Sequence, residues 1–268
     1  MTSAAITAGA TRFAQTIVIT VNGSGLDSGV AVTSPLCTNA TPSTAAPYVS
    51  TATTAYFQCA VSGVGSGQIV ISRIADGAML ATVPVTVAQP KVTLAVDNGI
   101  GTSGSIVVTL AADKAPATVR NFLAYVNTGF YAGTLIHRVA PGFVVQGGGY
   151  TAPAAGSALP LPKTASAPLA LETGGGLSNV QWAVAMARTS SVDSATSQFF
   201  IDLVDNSKGL DPGTVTGPGY AVFGNVTAGT NVVSAMAAAP CTAIPLFLPT
   251  GECTPQPYLV ITSAVQTQ

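Results

Sequence analysis

Charge is the scarcest property of this sequence. Only 7% of its 268 residues are Asp, Glu, Lys or Arg, nine bases against ten acids, where an ordinary globular chain has roughly 25%. The net charge is −1 and no basic cluster occurs. This excludes the counterion-displacing contacts that nucleic acid requires and polybasic attraction to an anionic membrane. There is a single histidine, His137, and a single tryptophan, Trp182. The four cysteines, at 37, 59, 241 and 253, form no C-x-x-C pair and lie far along the chain from His137. A metal site therefore lacks its ligand set. No G-x-S-x-G elbow and no G-x-x-x-x-G-K-[ST] loop is present, so serine-hydrolase and P-loop chemistry have no seat. No apolar run reaches the ~20 residues of a membrane helix. The opening residues Met1 to Ile6 carry neither the basic n-region nor the apolar h-region of an export signal.

What the chain has is apolar material, 48% of its residues, enough for a substantial core and the reverse of a disorder signature. Up to about Pro90 it is rich in Thr, Ser, Ala, Val and Gly. β-branched runs alternate with turns: Thr16–Val21 before Asn22-Gly23, Tyr56–Val61 before Ser62-Gly63, Gln68–Ile74 before Asp76-Gly77, and Thr82–Ala88. Short strands between turn dipeptides predict a small β-sandwich over residues 1–90, since each strand must bury its apolar face against a second sheet. This segment resembles the Ig-like modules of secreted bacterial proteins. It carries no catalytic constellation and reads as a spacer or adhesion module.

Beyond the Gln89-Pro90-Lys91 boundary, residues 91–268 read as mixed strand and helix. Val92–Val96 and Ser105–Leu110 predict a strand pair around Asn98-Gly99. Pro116 suits the first turn of a helix. Val119, Phe122, Leu123 and Val126 then form one apolar face, and Gly129 is placed to end it. A second helix is predicted over 230–237. Strands are expected around 134–137, 143–146, 182–187, 198–203 and 220–223, with Leu259–Ile261 closing the sheet. Trp182 is expected in a core strand, and 151–168 as a surface loop. Four cysteines allow three pairings. Cys37–Cys59 with Cys241–Cys253 is preferred because each bridge stays within one region. Each would contribute on the order of 3 kcal/mol and suits an oxidising compartment.

Four segments carry the chemistry: His137 to Gly149, Ala185 to Thr189, Asp193 to Ile201, and Gly219 to Gly224. Together with Asn121–Phe122 and Val126 to Tyr131, they are similar to the cyclophilin-type peptidyl-prolyl cis–trans isomerases, and to the bacterial, periplasmic-type branch in particular. The resemblance covers residues 92–266, about two thirds of the chain. It implies a closed eight-stranded antiparallel β-barrel capped by two helices, so that the whole is mainly β. It also implies an isomerase of X-Pro bonds in exported proteins, assisting folding, with no cofactor and no metal. Proline-containing polypeptides are the expected partners, the chain is expected to be a monomer, and its location periplasmic or secreted, a signal segment having been removed.

The resemblance assigns Arg138 as the electrophile. Arg138 on its own invites explanation, as a base beside an apolar turn in a chain with few bases; a surface salt bridge is the other reading. Phe143, Val144, Phe200 and Leu210 are implied to line the proline pocket with Tyr220. Gln146 is implied to bond the substrate backbone, Ala187 to line the groove, and Gln198 to meet the residue before proline. Val144 stands where the family commonly has Met. Gly209 stands where it has Trp or Phe, which removes an aromatic wall and with it the expectation of tight cyclosporin binding. Residues 206–219 read as an insertion at the pocket rim. His137 reads as structural, and Gly147–Gly149 as a tight bend. A non-catalytic module that holds proline peptides in the same groove, as a chaperone or adhesin, is the alternative.

Overall fold

The computed structural model describes residues 3–268 apart from 27–28, 45, 155–158, 216 and 245–247. The chain divides into two compact units, 1–89 and 90–268. The first contains β1 (Ser3–Ala8), β2 (Thr16–Asn22), β3 (Val30–Thr33), β4 (Cys37–Pro42), β5 (Thr54–Val61), β6 (Gly65–Arg73) and β7 (Met79–Val87). Two antiparallel sheets result, ordered β1-β2-β5-β4 and β3-β6-β7. Every second side chain of β5 is buried from Ala55 to Val61, the period of a strand with one face in a core. Ile17, Ile19, Val21, Phe57, Ile69 and Ile71 are among the buried residues of this unit. Pro84 sits in β7, an edge strand, where its missing N–H breaks no interior ladder. Cys37 and Cys59 form a disulfide between the paired strands β4 and β5.

The second unit contains β8 (Lys91–Asp97), β9 (Ser103–Leu110), α1 (Pro116–Asn127), β10 (Thr134–Ala140), β11 (Val144–Thr151), β12 (Leu161–Pro162), β13 (Ala183–Met186), β14 (Phe199–Asp202), α2 (Ser207–Leu210), β15 (Val222–Ala228), α3 (Thr230–Ala237), β16 (Cys241–Thr242), β17 (Thr254–Pro255) and β18 (Leu259–Gln266). The large sheet runs β10-β18-β8-β9-β15-β13-β14-β11, and β11 pairs back with β10. That pairing closes an eight-stranded antiparallel barrel, with β12 added on the outside of β11. Closure leaves the eight strands without a free edge.

Val119, Phe122 and Leu123 of α1 are fully buried, as their spacing predicted. Phe122 packs against Tyr131, Phe199 and Phe223 with ring centroids 5.3, 5.7 and 5.0 Å away. Burial of each such ring contributes roughly 1.5–3 kcal/mol. The N-terminus of α1 has no local side-chain cap. Glu172, far along the chain, supplies one: Ala117 N–H and Thr118 N–H donate to its carboxylate at 3.2 and 2.8 Å. Gly129, at φ +71°, ends the helix in the left-handed region.

Several expectations need correction. Trp182 is not in a core strand; it is half-buried and precedes β13 in a turn with φ +71°. The strand starts one residue later, where the small side chain of Ala183 fits inside. Gly147–Gly149 lie within the strand β11, where Gly148 takes a φ of +84° that glycine permits, beside a shift of register against β10. Their lack of side chains serves close packing: a Cβ on Gly149 would sit 2.3 Å from the Gln198 side chain, and one on Gly147 3.0 Å from the Leu135 carbonyl. The rim segment 206–219 adds a third helix, the single turn α2, and the stretch 151–168 contains β12, with 155–158 outside the described residues.

Candidate functional site

The β10–β11 pairing builds the site. Its register sets Arg138 opposite Gln146, and β11 pairs with β14 so that Gln146 faces Phe200. The turn between β10 and β11 presents Phe143, whose carbonyl accepts from Leu203 N–H and the Asn206 side-chain amide, both at 2.9 Å. α2 contributes Leu210. Its position is secured by Asp211, whose carboxylate accepts from Asn179 N–H at 2.7 Å, the Asn179 side chain at 2.8 Å and the Ser178 hydroxyl.

These elements enclose a cleft of about 420 Å³, counted to its open mouth, lined by Arg138, Phe143, Val144, Gln146, Ala187, Arg188, Phe200, Leu210 and Tyr220. Its floor belongs to a packed cluster that includes Ala140, Val144, Ala185, Phe200, Leu210 and Val222. Tyr220 meets Phe200 edge to face at 5.5 Å, a favoured aromatic geometry. A Cβ on Gly209 would meet no atom within 4 Å, so the place of the missing aromatic wall is open.

Eight residues were expected to bind the substrate or line its groove. Seven of them line this one cleft with Arg138: Phe143, Val144, Gln146, Ala187, Phe200, Leu210 and Tyr220. Gln198 lines an adjoining recess with Gln146, Ala187, Arg188, Thr189, Ser194 and Thr196. Ala187 lies one residue past β13, and its N–H donates to Gln198 C=O at 2.9 Å, so that donor is used within the protein.

Arg138 is held on two sides. Its Nη1 donates to Gln146 Oε1 at 2.7 Å. Its Nε and Nη2 donate to the two carboxylate oxygens of Glu252, each at 2.5 Å. Gln146 Nε2 in turn donates to Gln198 Oε1 at 2.9 Å. A guanidinium has five N–H donors in a fixed fork. Three are engaged by described residues, and one remains on each Nη. Arg138 therefore pairs with a carboxylate and also lines the cleft.

Glu252 and Arg188 were not anticipated from the sequence. Glu252 sits outside every motif; its one signal is that it precedes Cys253, which forms a disulfide with Cys241. Arg188 stands within the quoted motif. Its guanidinium donates to Gly219 C=O through Nε and Nη2 at 3.1 and 3.0 Å and lies over the Tyr220 ring, 4.5 Å from its centroid. Cation–π contact of this kind braces the aromatic wall.

His137 stands beside this network, its side chain hydrogen-bonded to that of Gln198. It is buried with its ring edge on Tyr150, at 4.6 Å between centroids. Burial, with the Arg138 charge nearby, lowers its pKa from 6.5 to about 4, so the imidazole is neutral near pH 7. Among the described residues no three His, Cys, Asp or Glu side chains group as metal ligands, and no helix is long and apolar enough to cross a membrane.

A cleft with apolar walls and a fixed guanidinium on one side can hold an apolar ring beside hydrogen-bond donors. Comparison with known proteins agrees. Residues 92–263 match the family described as cyclophilin type peptidyl-prolyl cis-trans isomerase/CLD. Peptidyl-prolyl cis-trans isomerase A of Dickeya dadantii is 48% identical over 130 residues, which cover 48% of this chain and 64% of that protein. The isomerase of Acinetobacter baylyi is 44% identical over 137 residues, 51% of this chain and 69% of the relative. Isomerase B of Escherichia coli is 43% identical over 131 residues, 48% and 76%. The crystal structure of a cyclophilin type isomerase from Cryptosporidium parvum superposes with a TM-score of 0.50 at 18% identity, covering 67% of this chain and 98% of that one, a likeness of fold. With the match spanning most of the barrel unit, the chain belongs to the cyclophilin-type peptidyl-prolyl cis–trans isomerase family.

Proposed function

We propose that the barrel unit catalyses cis–trans isomerisation of X-Pro bonds, with Arg138 as its catalytic residue. An amide resists rotation by ~18–20 kcal/mol because its nitrogen lone pair is delocalised. An uncatalysed X-Pro bond exchanges in tens to hundreds of seconds. In the twisted state the lone pair localises on nitrogen, and a donor placed there stabilises that state over either planar one. Each 1.36 kcal/mol of such preference gives about tenfold in rate. The observation that carries the reading is the fork of Arg138 at the edge of the cleft, with one N–H left on each Nη, facing a ring-sized apolar space.

Phe143, Val144, Phe200, Leu210 and Tyr220 hold the proline ring by excluding water. Gln146 both orients Arg138 and offers its amide to the substrate backbone. Ala187 and Gln198 border the space for the residues before proline. No cofactor enters this mechanism.

The substrates we infer are proline-containing segments of exported polypeptides, met by a monomer in a periplasm or outside the cell. The two disulfides support that location. The N-terminal unit we read as an Ig-like spacer or adhesion domain. Its strand order, β1-β2-β5-β4 against β3-β6-β7, is that of a seven-stranded constant-type sandwich. The competing reading, a groove that binds proline peptides without turnover, is favoured by the empty place at Gly209.

Exchange spectroscopy on a short X-Pro peptide separates the two. The expected result is a clear wild-type rate that falls at least about tenfold in Arg138→Ala. A folded wild type with no rate above background would leave peptide binding as the function.

A further inference from the structure

The catalytic fork is clamped by a residue that lies 114 positions away along the chain. Glu252 meets the guanidinium through Nε and Nη2, the bidentate geometry that fixes a plane rather than a point. Its side chain is 15% exposed and that of Arg138 22%, so water screens the pair less than it would a surface bridge.

The segment carrying Glu252 is tied to β10 immediately beside Arg138. Cys253 N–H donates to Val139 C=O at 3.0 Å, and Val139 N–H donates to Cys253 C=O at 2.8 Å. Thr254 Oγ1 donates to His137 C=O at 2.8 Å. The residues on both sides of Arg138 therefore bond to the two residues that follow Glu252. The far end of the segment is anchored as well: Cys241 forms the disulfide with Cys253, Cys241 pairs with Pro255, and Gln256 N–H donates to Pro240 C=O at 2.7 Å.

Resting on the isomerase reading, we propose that Glu252 is a positioning residue for Arg138, and that the Cys241–Cys253 bridge holds it in place. An arginine side chain free to rotate would spread its donors over many rotamers and lose entropy on docking to the twisted amide. The carboxylate removes that freedom before substrate arrives. It occupies Nε and one N–H of Nη2, Gln146 occupies one N–H of Nη1, and one donor on each Nη is left for the reaction. The pair also carries no net charge, so an apolar proline ring enters without desolvating a lone cation. Glu252 itself touches no reacting atom; it acts through Arg138.

The test is a double-mutant cycle on the full-length chain, read by exchange spectroscopy with an X-Pro peptide. Glu252→Ala is expected to lower kcat about tenfold with KM nearly unchanged, because ring binding belongs to the apolar wall. Glu252→Gln, which keeps one acceptor, is expected to recover part of the loss. Adding Glu252→Ala to Arg138→Ala is expected to cost nothing further. Cys241→Ser/Cys253→Ser is expected to lower kcat in the wild-type background and not in Glu252→Ala.

A second readout is independent of turnover. The Arg138 Nε–H, shielded by its carboxylate, is expected to exchange slowly with solvent in wild type and rapidly in Glu252→Ala. Wild-type kcat in a folded Glu252→Ala protein, or an equal further loss on top of Arg138→Ala, would overturn the proposal. So would an Nε–H that exchanges equally fast in both proteins. Failure of the isomerase reading looks different, since the wild type itself would then show no rate.

Discussion

The ion pairs of the two units differ in reach. In the N-terminal unit Arg73 and Asp76 stand three residues apart on an exposed turn, with side chains 45% and 51% exposed. In the barrel Arg138 and Glu252 meet across 114 residues with most of each side chain covered. The first pair serves the turn that produces it: Asp76 accepts from Ala78 N–H at 3.1 Å, and that bond, with Arg73 beside it, holds its pKa below the usual carboxylate value. Exposed pairs of this kind are worth little. The second pair exists only because the barrel closes. Four of the 19 charged residues fall in the first unit and the rest in the second. In the barrel they cap a helix, brace a wall, fix α2 and hold the Arg138 guanidinium beside the cleft. Where charge is scarce, its placement marks which unit carries chemistry.

The disulfides repeat the contrast. Cys37–Cys59 staples two neighbouring strands of one sheet. Cys241–Cys253 anchors the segment that reaches the cleft. Four perturbations, in falling order of expected effect, sharpen or break this division.

Phe200→Ala removes a ring shared by the packed cluster and the cleft. It is expected to cost about 3–5 kcal/mol of barrel stability and to abolish most peptide turnover, as read by denaturant unfolding and exchange spectroscopy. Retained turnover would show that the proline ring does not sit against Phe200.

Cys37→Ser/Cys59→Ser is expected to cost the first unit about 3 kcal/mol and to leave the isomerase rate unchanged. A rate that falls with this pair would break the division between the units.

Asp202→Asn tests a buried carboxyl at the end of β14. Burial raises its pKa from 3.8 to about 7, opposed by the Asn206 hydrogen bond and reinforced by Asp211 and Asp205. The folded chain keeps this proton up to about pH 7, whereas the unfolded chain releases it near 3.8. Between those values the folded state binds the extra proton, so this group's contribution to stability is full below pH 3.8 and is lost as pH rises toward 7. The melting temperature of Asp202→Asn relative to wild type is therefore expected to climb by a few degrees from pH 4 to a plateau near pH 7. His137 runs the other way: its lowered pKa gives stability that is present above pH 6.5 and lost as pH falls toward 4. Comparing variant with wild type at each pH cancels that contribution. A flat difference would show that Asp202 is ionised in the folded chain.

Glu172→Ala uncaps α1 and is expected to cost about 1 kcal/mol by denaturant unfolding, with little change in turnover. The same loss in Glu172→Gln would assign the effect to charge rather than to hydrogen bonding.

The barrel's elements were legible because they are written locally. The four apolar positions of α1, the spacing of 230–237 and the alternation in β8 and β9 each state a period that one element satisfies by itself. Most of the cleft was legible too, since Arg138, Phe143, Val144 and Gln146 lie on one hairpin and its turn, and Phe200 lies on the strand beside it. Trp182 misled because its size argues for burial while the turn before β13 needs a positive φ there. Gly147–Gly149 misled in part: Gly148, at φ +84°, uses the freedom that glycine signals, but all three also sit where neighbours fill the Cβ position.

The sequence by itself determined two β-rich units, their boundary, helices α1 and α3 of the barrel and the hairpin that presents Arg138, all consequences of short-range periodicity and turn chemistry. Only the tertiary structure decided that β14 pairs with β11, that Glu172 caps α1, and that Glu252 reaches Arg138. Each of these joins groups whose separation along the chain carries no periodic signal. Each forms because a donor or a sheet edge left unsatisfied where water is partly or wholly excluded costs more than the loop that brings its partner.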